Sequence, residues 1–392
     1  MSDFIFFSST DWHGLWGSRQ QIAQRLARLG HRVLFIERPL GVEHWLRYPA
    51  FRQKLAQRRR EGVTEIEPNI WIYKLPLLPP GKYLSLTINQ LFQELSYRAV
   101  APIVKRLGFS RPILWLYNPE NGPLIGRFNE KLAVYHCIDE WTANTSGRKK
   151  ANITQLEEEL LGRVDLVFAN SPPTYEKKIA RNPHTYRLPS GVDYAHFAGE
   201  VPETVHPAVA QIPSPRIGYS GTINERLDYH ILSQLADSKP DWSLILAGDP
   251  YPWTLETEPL ASLLKRPNVY HTGKLPYTEM PHLLRSFDLC LVPYVQDDRG
   301  HYRSPLKLYE YLASGRPIIA VPTPENREFT PHITLAATAQ ETIDAVESHM
   351  PFPTYPYPPA TSLQSLAQQH TWQARTEYAL SILEEQLEAS HG

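Results

Sequence analysis

The stretch from Arg303 to Ala320 carries side chains that can bind an anion. It reads as a loop, then a helix of about three turns, then a buried strand after Gly315. This order places polar side chains near a helix N-terminus, where backbone N–H groups and the macrodipole favour negative charge. The side chains so placed are Ser304, Lys307 and Glu310. The stretch therefore predicts a phosphate site.

A second candidate loop follows the first predicted strand, residues 3–9. The loop, residues 10–17, leads into a helix and then into a strand at 32–36, and it lies where open α/β sheets bind ligands. Its candidate ligand contacts are Asp11, Gly14 and Gly17. Glu37 ends the second strand, where a dinucleotide enzyme would hold a ribose. The loop lacks the third glycine of that fingerprint, so the pattern favours another ligand.

Strands and helices alternate in two runs of similar size, which predicts an α/β protein with two doubly wound, Rossmann-like domains. We expect a first domain over residues 1–195 and a proline-rich linker over 196–215. The second domain is predicted over 216–360 and a closing helix over 361–392. The chain of 392 residues is long enough for two cores.

Composition points to a globular enzyme, with 42% apolar and 21% charged residues. No apolar run is long enough to span a membrane, and the first residues lack a signal peptide, so we expect a cytoplasmic protein. Cys137 and Cys290 lie in predicted buried strands and are expected to be reduced core thiols.

Charge is distributed unevenly: residues 1–200 hold 27 Lys+Arg against 19 Asp+Glu, and the remaining residues hold 13 against 22. A basic first half favours an anionic partner, such as a phospholipid surface or a phosphate-bearing acceptor. Residues 41–62 combine basic and aromatic side chains, which predicts peripheral contact with an anionic membrane at the inner face of the cell membrane. The alternative is an acceptor-side loop packed on its own domain. No nucleic-acid motif accompanies the charge, so we expect no nucleic acid partner.

Short motifs recur along nearly the whole chain in a fixed order. They are Arg163–Ser171, Leu188–Asp193 with Phe197, Gly218–Thr222, Ala247–Asp249, Thr272–Pro276, Phe287–Leu289 with Val292–Pro293, and His370–Trp372. In this order and spacing the chain resembles the GT-B glycosyltransferases of the large retaining family four, which build bacterial surface polysaccharides. The resemblance implies two domains that face each other across a cleft, with the closing helix crossing back to the first domain.

The resemblance also implies that the second domain binds a nucleotide sugar. A basic residue at Arg226 and the helix dipole would stabilise the diphosphate, Glu310 would hold the ribose hydroxyls, and the loop at Lys274 and Leu275 would meet the base. The implied donor-binding residues are Gly221, Thr222, Arg226, Gly248, Lys274, Leu275, Arg303, Ser304, Lys307 and Glu310. The alternatives are a surface ion pair for Arg226 and a helix-face carboxylate for Glu310.

One departure from the family pattern concerns the donor sugar. Many members carry an acid eight positions before the equivalent of Glu310, and this chain has Tyr302 there. Arg303 and Lys307 add charge on the diphosphate side, which makes a metal less necessary. Asp297 and Asp298 are adjacent rather than spaced as a metal-dependent transferase would need, so we expect no metal site.

In the first domain the family places a His or Asp after the strand that faces the donor. Asp139 fits best as the polar group near the reacting carbon, with His136 second and Glu140 third. Asp139 would position the sugar in a retaining reaction and act as base in an inverting one. Its alternative role is an N-cap. The first loop, with Asp11, Gly14 and Gly17, would meet the acceptor or the diphosphate.

These observations favour a metal-independent, retaining glycosyltransferase that needs no cofactor besides its nucleotide-sugar co-substrate. Its acceptor would be lipid-linked, a glycan or a small molecule. The alternatives are a nucleotide-sugar epimerase of the same fold and a catalytically impaired nucleotide-binding scaffold, the second favoured by Tyr302. A dinucleotide oxidoreductase comes last, because its fingerprint is incomplete.

Overall fold

The computed structural model describes residues 1–14, 16–39, 61–75, 83, 85–251, 254, 257–353 and 360–389. The chain forms two compact units, one of Met1–Pro189 with Trp372–Gly392 and one of Ser190–Thr371. Of the predicted membrane-contact stretch 41–62, only the last two residues are described.

Unit 1 is built on an eight-stranded sheet with the order β3-β4-β2-β1-β5-β6-β7-β8. All neighbouring strands are parallel except β3 and β4, which form an antiparallel pair. The strands are β1 Asp3–Phe7, β2 Arg32–Glu37, β3 Val63–Glu67, β4 Ile70–Lys74, β5 Ile113–Leu116, β6 Leu132–Cys137, β7 Leu166–Ala169 and β8 Thr185–Arg187. The five central strands β1, β2, β5, β6 and β7 are almost wholly buried, as expected where helices cover both faces of a parallel sheet.

Among the described residues of unit 1, four helices follow strands of this sheet: α1 Ser18–Arg28, α2 Leu86–Arg106, α3 Gly147–Leu161 and α4 Pro172–Ile179. The Gln20 side chain accepts a hydrogen bond from the Gly17 N–H at the start of α1. The helix ends before Gly30, whose φ of +87° requires a residue without a Cβ atom. The first βα connection therefore follows the sequence prediction.

Unit 2 contains a six-stranded parallel sheet with the order β11-β10-β9-β12-β13-β14. The strands are β9 Arg216–Ser220, β10 Ser243–Ala247, β11 Val269–Gly273, β12 Leu289–Val292, β13 Ile318–Ala320 and β14 Thr334–Leu335. The helices are α5 Tyr194–Phe197, α6 Tyr229–Ser238, α7 Glu258–Leu263, α8 Met280–Arg285, α9 Asp298–His301, α10 Leu306–Ser314, α11 Pro324–Arg327, α12 Ala339–Ser348 and α13 Thr361–Gln368. β9 and β12 are neighbours but not consecutive, so the strand order reverses between them, at the switch point where such sheets bind ligands.

The last helix, α14 Trp372–Ala389, returns to unit 1 and packs against α1. The sequence predicts one continuous helix from about residue 361, but the structure has two. The break lies where the backbone of His370 and Thr371 pairs with Val192, with Val192 N 3.0 Å from His370 O. This pairing interrupts the helix, because an extended backbone segment cannot also be helical.

Two further differences from the sequence prediction concern element boundaries. The hairpin of β3 and β4 was not predicted, since the exposed β3 has charged residues in place of an apolar alternation. The predicted linker 196–215 belongs to unit 2, where Val209 and Ile212 are buried in the core. None of the described helices is both long enough and apolar enough to cross a membrane.

Candidate functional site

The centre of the candidate site in unit 2 is a close contact between Gly221 and Lys307. Gly221 follows β9 with a φ of +138°, and Lys307 lies in the first turn of α10. A Cβ atom at Gly221 would lie 1.9 Å from Lys307 Cε and 2.2 Å from its Nζ. A side chain at Gly221 would displace the flexible end of Lys307, so glycine allows the ammonium group to lie over the end of β9.

Two arginines lie near the same pair of rings, Tyr219 and Tyr294, as this lysine. The charge of Arg226 acts on Arg303, whose Cζ lies 5.7 Å from the Tyr294 ring centroid, and Lys307 Nζ lies 5.6 Å from the Tyr219 ring centroid. We call Arg226, Arg303 and Lys307 the cation cluster. Within the described ranges none of the three has a carboxylate oxygen within 4.0 Å, so the alternative of a surface ion pair for Arg226 finds no support.

Arg303 is the most constrained member of the cation cluster. Its Nη1 atom is buried and has no hydrogen-bond partner among the described residues. Burial lowers the pKa of Arg303, and the neighbouring Arg226 guanidinium lowers it further. The carboxylate of Asp297 opposes this effect, but Nη1 keeps an unused hydrogen-bond donor that a phosphate oxygen could accept from.

Glu310 lies one turn after Lys307 on α10 and is half-buried. Burial raises the pKa of its carboxyl to about 7, and the nearby Lys307 ammonium opposes this effect. The following residue, Tyr311, accepts a hydrogen bond from the Ser220 N–H over 2.8 Å. This bond ties α10 to the end of β9, so the carboxyl of Glu310 and the ammonium of Lys307 keep a fixed position relative to that strand.

The loop after β10 lies next to the loop after β9. Gly248 has a φ of +146°, and a Cβ atom there would lie 2.0 Å from Gly221 O. Asp249 accepts a hydrogen bond from Lys274 N over 3.1 Å and so connects to the loop that carries Lys274 and Leu275. The structure thus brings together the predicted residues Gly221, Gly248 and Lys274, while Thr222 continues the backbone with its carbonyl accepting from Tyr219.

Ser304, a predicted donor-site residue, forms hydrogen bonds within the protein. Its hydroxyl donates to the buried carboxylate of Glu325 over 2.8 Å and accepts from Ser190 N over 3.0 Å. Tyr309 also donates to Glu325. The Ser304 hydroxyl therefore anchors the loop before α10, a role that sequence spacing alone does not distinguish from ligand binding.

In unit 1, Asp139 follows β6, and its side chain is 58% exposed. Its Oδ2 atom lies 3.6 Å from Nη2 of Arg19. The N-cap alternative for Asp139 is wrong, since α3 begins at Gly147 with Ser146 as its N-cap. Asp139 therefore remains available to a ligand at the carboxyl end of the sheet.

His136 occupies a core position instead of a catalytic one. It is fully buried, with its ring centroid 5.2 Å from that of Tyr117 and 5.8 Å from that of Trp115. Burial lowers the pKa of His136 to about 3, with a smaller effect of Arg19. This corrects its predicted role, because a buried, permanently neutral imidazole cannot reach a substrate or exchange protons near neutral pH.

Glu140, the third candidate for the polar group near the reacting carbon, belongs to a buried ion-pair network. Its carboxylate contacts Lys177 Nζ at 2.8 Å and Lys178 Nζ at 3.4 Å, and Lys178 also contacts Glu157 at 2.7 Å. Burial tends to raise the pKa of Glu140, but the lysines outweigh it and bring the pKa to about 2. The network fixes the loop after β6 and leaves Glu140 unable to act as an acid or base.

The first loop is held by a buried carboxylate. Trp12 N donates to Glu37 Oε1 over 2.7 Å, so Glu37 has a structural role rather than that of a ribose ligand. Asp11 lies 3.6 Å from Arg38, and a Cβ atom at Gly14 would approach Asp11 O to 3.1 Å. At Gly17 a Cβ atom would meet no protein atom within 4 Å, which leaves open space at the start of α1.

The sequence reasoning did not single out two residues of unit 1. Arg19 lies in the first turn of α1, with its Cζ 5.3 Å from the ring centroid of Tyr117, which directly follows β5. The available signal was their position, since both follow strands at the carboxyl edge of the sheet. The described residues contain no group of three or more His, Cys, Asp or Glu side chains placed to hold a metal ion.

Comparison with known proteins agrees with this geometry. Residues 214–350 match the family model described as glycosyl transferases group 1. The chain is 27% identical over 225 residues to the putative teichuronic acid biosynthesis glycosyltransferase TuaH of Bacillus subtilis (strain 168), an alignment that covers 55% of this chain and 56% of TuaH. The chain thus spans about half the length of this curated relative.

Solved structures resemble the whole chain. Sucrose-phosphate synthase from Thermosynechococcus elongatus is similar with a TM-score of 0.75 and 17% identity, and the match covers 100% of both chains. Anabaena HepE in complex with UDP and glucose gives a TM-score of 0.68 at 16% identity, covering 98% of this chain and 100% of HepE. The predicted resemblance to GT-B glycosyltransferases is confirmed, and the assignment to retaining family four stays a prediction.

Proposed function

We propose that this protein, which carries a group 1 glycosyltransferase domain within a GT-B fold, transfers a sugar from a nucleoside-diphosphate sugar to an acceptor hydroxyl. The observation that carries the proposal is the cation cluster at the end of β9 and the start of α10. Three cationic side chains lie around the rings of Tyr219 and Tyr294 without a carboxylate within 4.0 Å among the described residues, and a diphosphate would supply the negative charge.

The same residues indicate how the nucleotide-sugar donor would bind. Arg226, Arg303, Lys307 and the N-terminus of α10 would bind the diphosphate, and the ionised Glu310 carboxylate would accept from the ribose hydroxyls. Lys274 and Leu275 would contact the base. A uridine nucleotide is the first choice, because HepE, which has a similar fold, was solved with UDP.

The reaction breaks the anomeric C–O bond to the β-phosphate, and the electron pair of that bond leaves with the nucleoside diphosphate. The acceptor oxygen forms the new C–O bond, and in a retaining reaction its proton passes to the departing phosphate oxygen. The cation cluster would stabilise the growing negative charge on that phosphate, so the chain needs no metal for this purpose. Asp139 would orient the donor sugar.

The acceptor is proposed to bind unit 1, whose sequence is basic. A lipid-linked acceptor would place the protein at the inner face of the cell membrane, in contact with anionic lipid through residues 41–62. This stretch lies outside the described residues apart from its last two, so the membrane proposal rests on its composition.

A thermal-shift panel of nucleoside diphosphates and nucleotide sugars tests the proposal, since a ligand that binds the native state stabilises it in proportion to its affinity. We expect UDP and UDP-sugars to raise the melting temperature. Lys307→Met should weaken this binding by about 1.5 to 3 kcal/mol, the value of a hydrogen bond to a charged group.

The matched control is Lys265→Met, which removes an exposed lysine of the same unit and should leave nucleotide affinity unchanged. A panel in which no nucleotide shifts the melting temperature would contradict the proposed function. Equal affinities of wild type and Lys307→Met would remove the cation cluster from donor binding.

A further inference from the structure

A cavity of about 510 Å³ lies at the amino-terminal edge of the sheet in unit 1. Its volume is within the range of small-molecule sites, roughly 300 to 1,000 Å³. The polar and charged side chains in its wall are those of Ser2, Asp3, Arg32, Ser110, Arg111 and Lys131. The first loop and Asp139 lie at the opposite edge of the sheet, since both follow strands. The five residues of β1 separate the two edges by roughly 16 Å, so this cavity is a separate place in unit 1.

Two of the charged side chains in the cavity wall neutralise each other. Nε and Nη2 of Arg32 each lie 2.7 Å from a different carboxylate oxygen of Asp3, the two-bond geometry of a dedicated pair. Arg32 also donates to the carbonyl oxygens of Leu107 and Gly108, over 3.2 and 3.1 Å. The N–H of Ser110 donates to Asp3 Oδ2 over 2.8 Å. Asp3 and Arg32 therefore hold the wall together.

The other two charged side chains, Lys131 and Arg111, are both cations. Lys131 Nζ donates to Ser2 Oγ over 2.9 Å, which uses one of the three protons of the ammonium group. Burial lowers the pKa of Lys131; the Asp3 carboxylate opposes this effect, and the Arg111 guanidinium adds to it. Within the described ranges neither cation has a carboxylate oxygen within 4.0 Å. These side chains thus give the cavity an excess of two positive charges.

The backbone of Arg111 has a conformation that arginine rarely adopts. Its φ is +45°, in the left-handed region, and the following Pro112 further restricts the residue before it toward extended conformations. Both neighbours are fixed, because Ser110 binds Asp3 and the Pro112 carbonyl accepts from Lys131 N over 2.9 Å. Glycine would fit this position with less strain. Strained residues of this kind are concentrated at ligand sites, which favours a binding role for the arginine over a contribution to stability.

We propose that this cavity binds a small molecule that carries a phosphate monoester on a partly apolar body. A phosphate monoester has a charge of about −1.5 to −2 at pH 7, which matches the two excess charges of Lys131 and Arg111. A carboxylate would match only one of them. Arginine and lysine both bind phosphate oxygens through charge-assisted hydrogen bonds. The side chains of Met1 and Leu387 also line the cavity and would contact the apolar part of the ligand. This site goes beyond the proposed function and does not depend on it.

The test uses the untagged chain, because Met1 lines the cavity, and phenyl phosphate as the probe. Phenyl phosphate is titrated by calorimetry without UDP and at a saturating concentration of UDP, which would occupy the donor site of unit 2. The variants are Lys131→Met and Arg111→Gly. The matched control is Lys150→Met, which removes an exposed lysine of the same unit.

Lys131→Met and Arg111→Gly should each weaken phenyl phosphate binding about tenfold or more, and Lys150→Met should not. UDP affinity should be the same in all variants. Arg111→Gly should melt at the wild-type temperature or above it, because glycine relieves the strained backbone. Inorganic phosphate should bind more weakly than phenyl phosphate because it lacks the apolar body, and benzoate because it carries one charge.

Phenyl phosphate affinities of Lys131→Met and Arg111→Gly equal to that of Lys150→Met would overturn the proposal. Benzoate bound as tightly as phenyl phosphate would refute the phosphate monoester as the ligand class. Should Lys131→Met fail to fold, Arg111→Gly decides the question. Competition between UDP and phenyl phosphate would assign the bound probe to the donor site and refute the cavity. If UDP does not bind but Lys131→Met and Arg111→Gly lose phenyl phosphate, the proposed function fails and this site stands.

Discussion

Glu310 combines a binding role with an unfavourable environment. Burial holds the pKa of its carboxyl at about 7, whereas its ordinary value is 4.5. The ionised carboxylate can accept hydrogen bonds from the ribose hydroxyls with both oxygens, so donor binding favours the ionised form. The residue therefore costs stability in the free protein under the same conditions in which it would bind the donor, as functional groups often do.

Glu310→Gln separates these two effects through their pH dependence. The folded state holds its proton up to pH 7 and the unfolded state releases it near pH 4.5, so the carboxyl destabilises the fold increasingly as pH rises between these values. Glu310→Gln should melt at a higher temperature than wild type at pH 8 and at a similar temperature at pH 4. Its donor affinity should fall by about 1.5 to 3 kcal/mol at pH 8.

The wild-type donor affinity should also rise with pH through 7, and that of Glu310→Gln should stay constant. Glu203→Gln, at an exposed position of the same unit, is the control and should reproduce the wild-type curves. A pH-independent difference in melting temperature would mean that Glu310 does not titrate near 7.

We expect substitutions of Asp139 and of His136 to have opposite effects on turnover. Asp139→Asn should reduce turnover by about 100-fold or more with little change in nucleotide affinity, since Asp139 is exposed where a substrate can reach it. His136→Phe should keep most of the activity, because a buried neutral ring is replaced by a ring of similar size. Steady-state kinetics together with UDP titration measure both; full activity of Asp139→Asn would exclude Asp139 from the mechanism.

At the scale of elements, the loop after β6 is fixed by charges rather than by regular structure. Glu140 and Glu157 share Lys178, whose side chain is 1% exposed, and Lys177 approaches Glu140 from the solvent side with 44% exposure. A buried ion pair need not add net stability, but removing one partner leaves an uncompensated charge in the interior.

Substituting each lysine in turn therefore tests how burial affects the contribution of this network to stability. Lys178→Met should lower the free energy of unfolding by about 3 to 5 kcal/mol, and Lys177→Met by about 0 to 1 kcal/mol. Urea denaturation of both variants measures the difference. Equal losses would show that burial does not govern the contribution of this network.

How far the sequence predicts the structure differs between elements and side chains. β1, β6, β9, β10 and β12 could be predicted almost to the residue, because buried parallel strands are continuous apolar runs. The break before α14 could not, since it depends on pairing of His370 and Thr371 with the distant Val192. Local propensity does not report on such contacts.

In the candidate site, too, some features could be predicted from the local sequence and others could not. The position of Lys307 at the start of α10 follows from local pattern, and its contact with Gly221 follows from the order of strands in the sheet. Burial of His136 and Glu140 could not be read from the sequence, because side chains at the end of a strand can point toward either the core or the solvent.

At the scale of the whole molecule, charge separates the two halves of the sequence. Residues 1–200 have a formal charge of +8 and the remainder −9, which is consistent with an anionic partner for the first half alone. Exposed basic side chains of Arg148, Lys149 and Lys150 contribute to this charge, as do the arginines of the stretch 41–62.

Vesicle co-sedimentation tests whether the partner is a membrane. Anionic vesicles should bind the protein at low salt and release it as ionic strength rises, and zwitterionic vesicles should not bind. Replacing Arg58, Arg59 and Arg60 together by Gln should abolish binding. The same change at Arg148, Lys149 and Lys150 is the control for charge alone, and equal losses in both triple variants would argue against a specific role of residues 41–62.

The return of α14 to unit 1 has a consequence for synthesis of the protein. α14 packs on α1, but Trp372 is added to the chain 183 residues after Pro189, where the earlier part of unit 1 ends. At typical rates of translation this interval is roughly 10 to 40 s. During that time the face of α1 that will contact α14 is uncovered, while all residues of unit 2 are made. Unit 2 can thus complete its fold on the ribosome before unit 1, which reverses the order expected from the sequence.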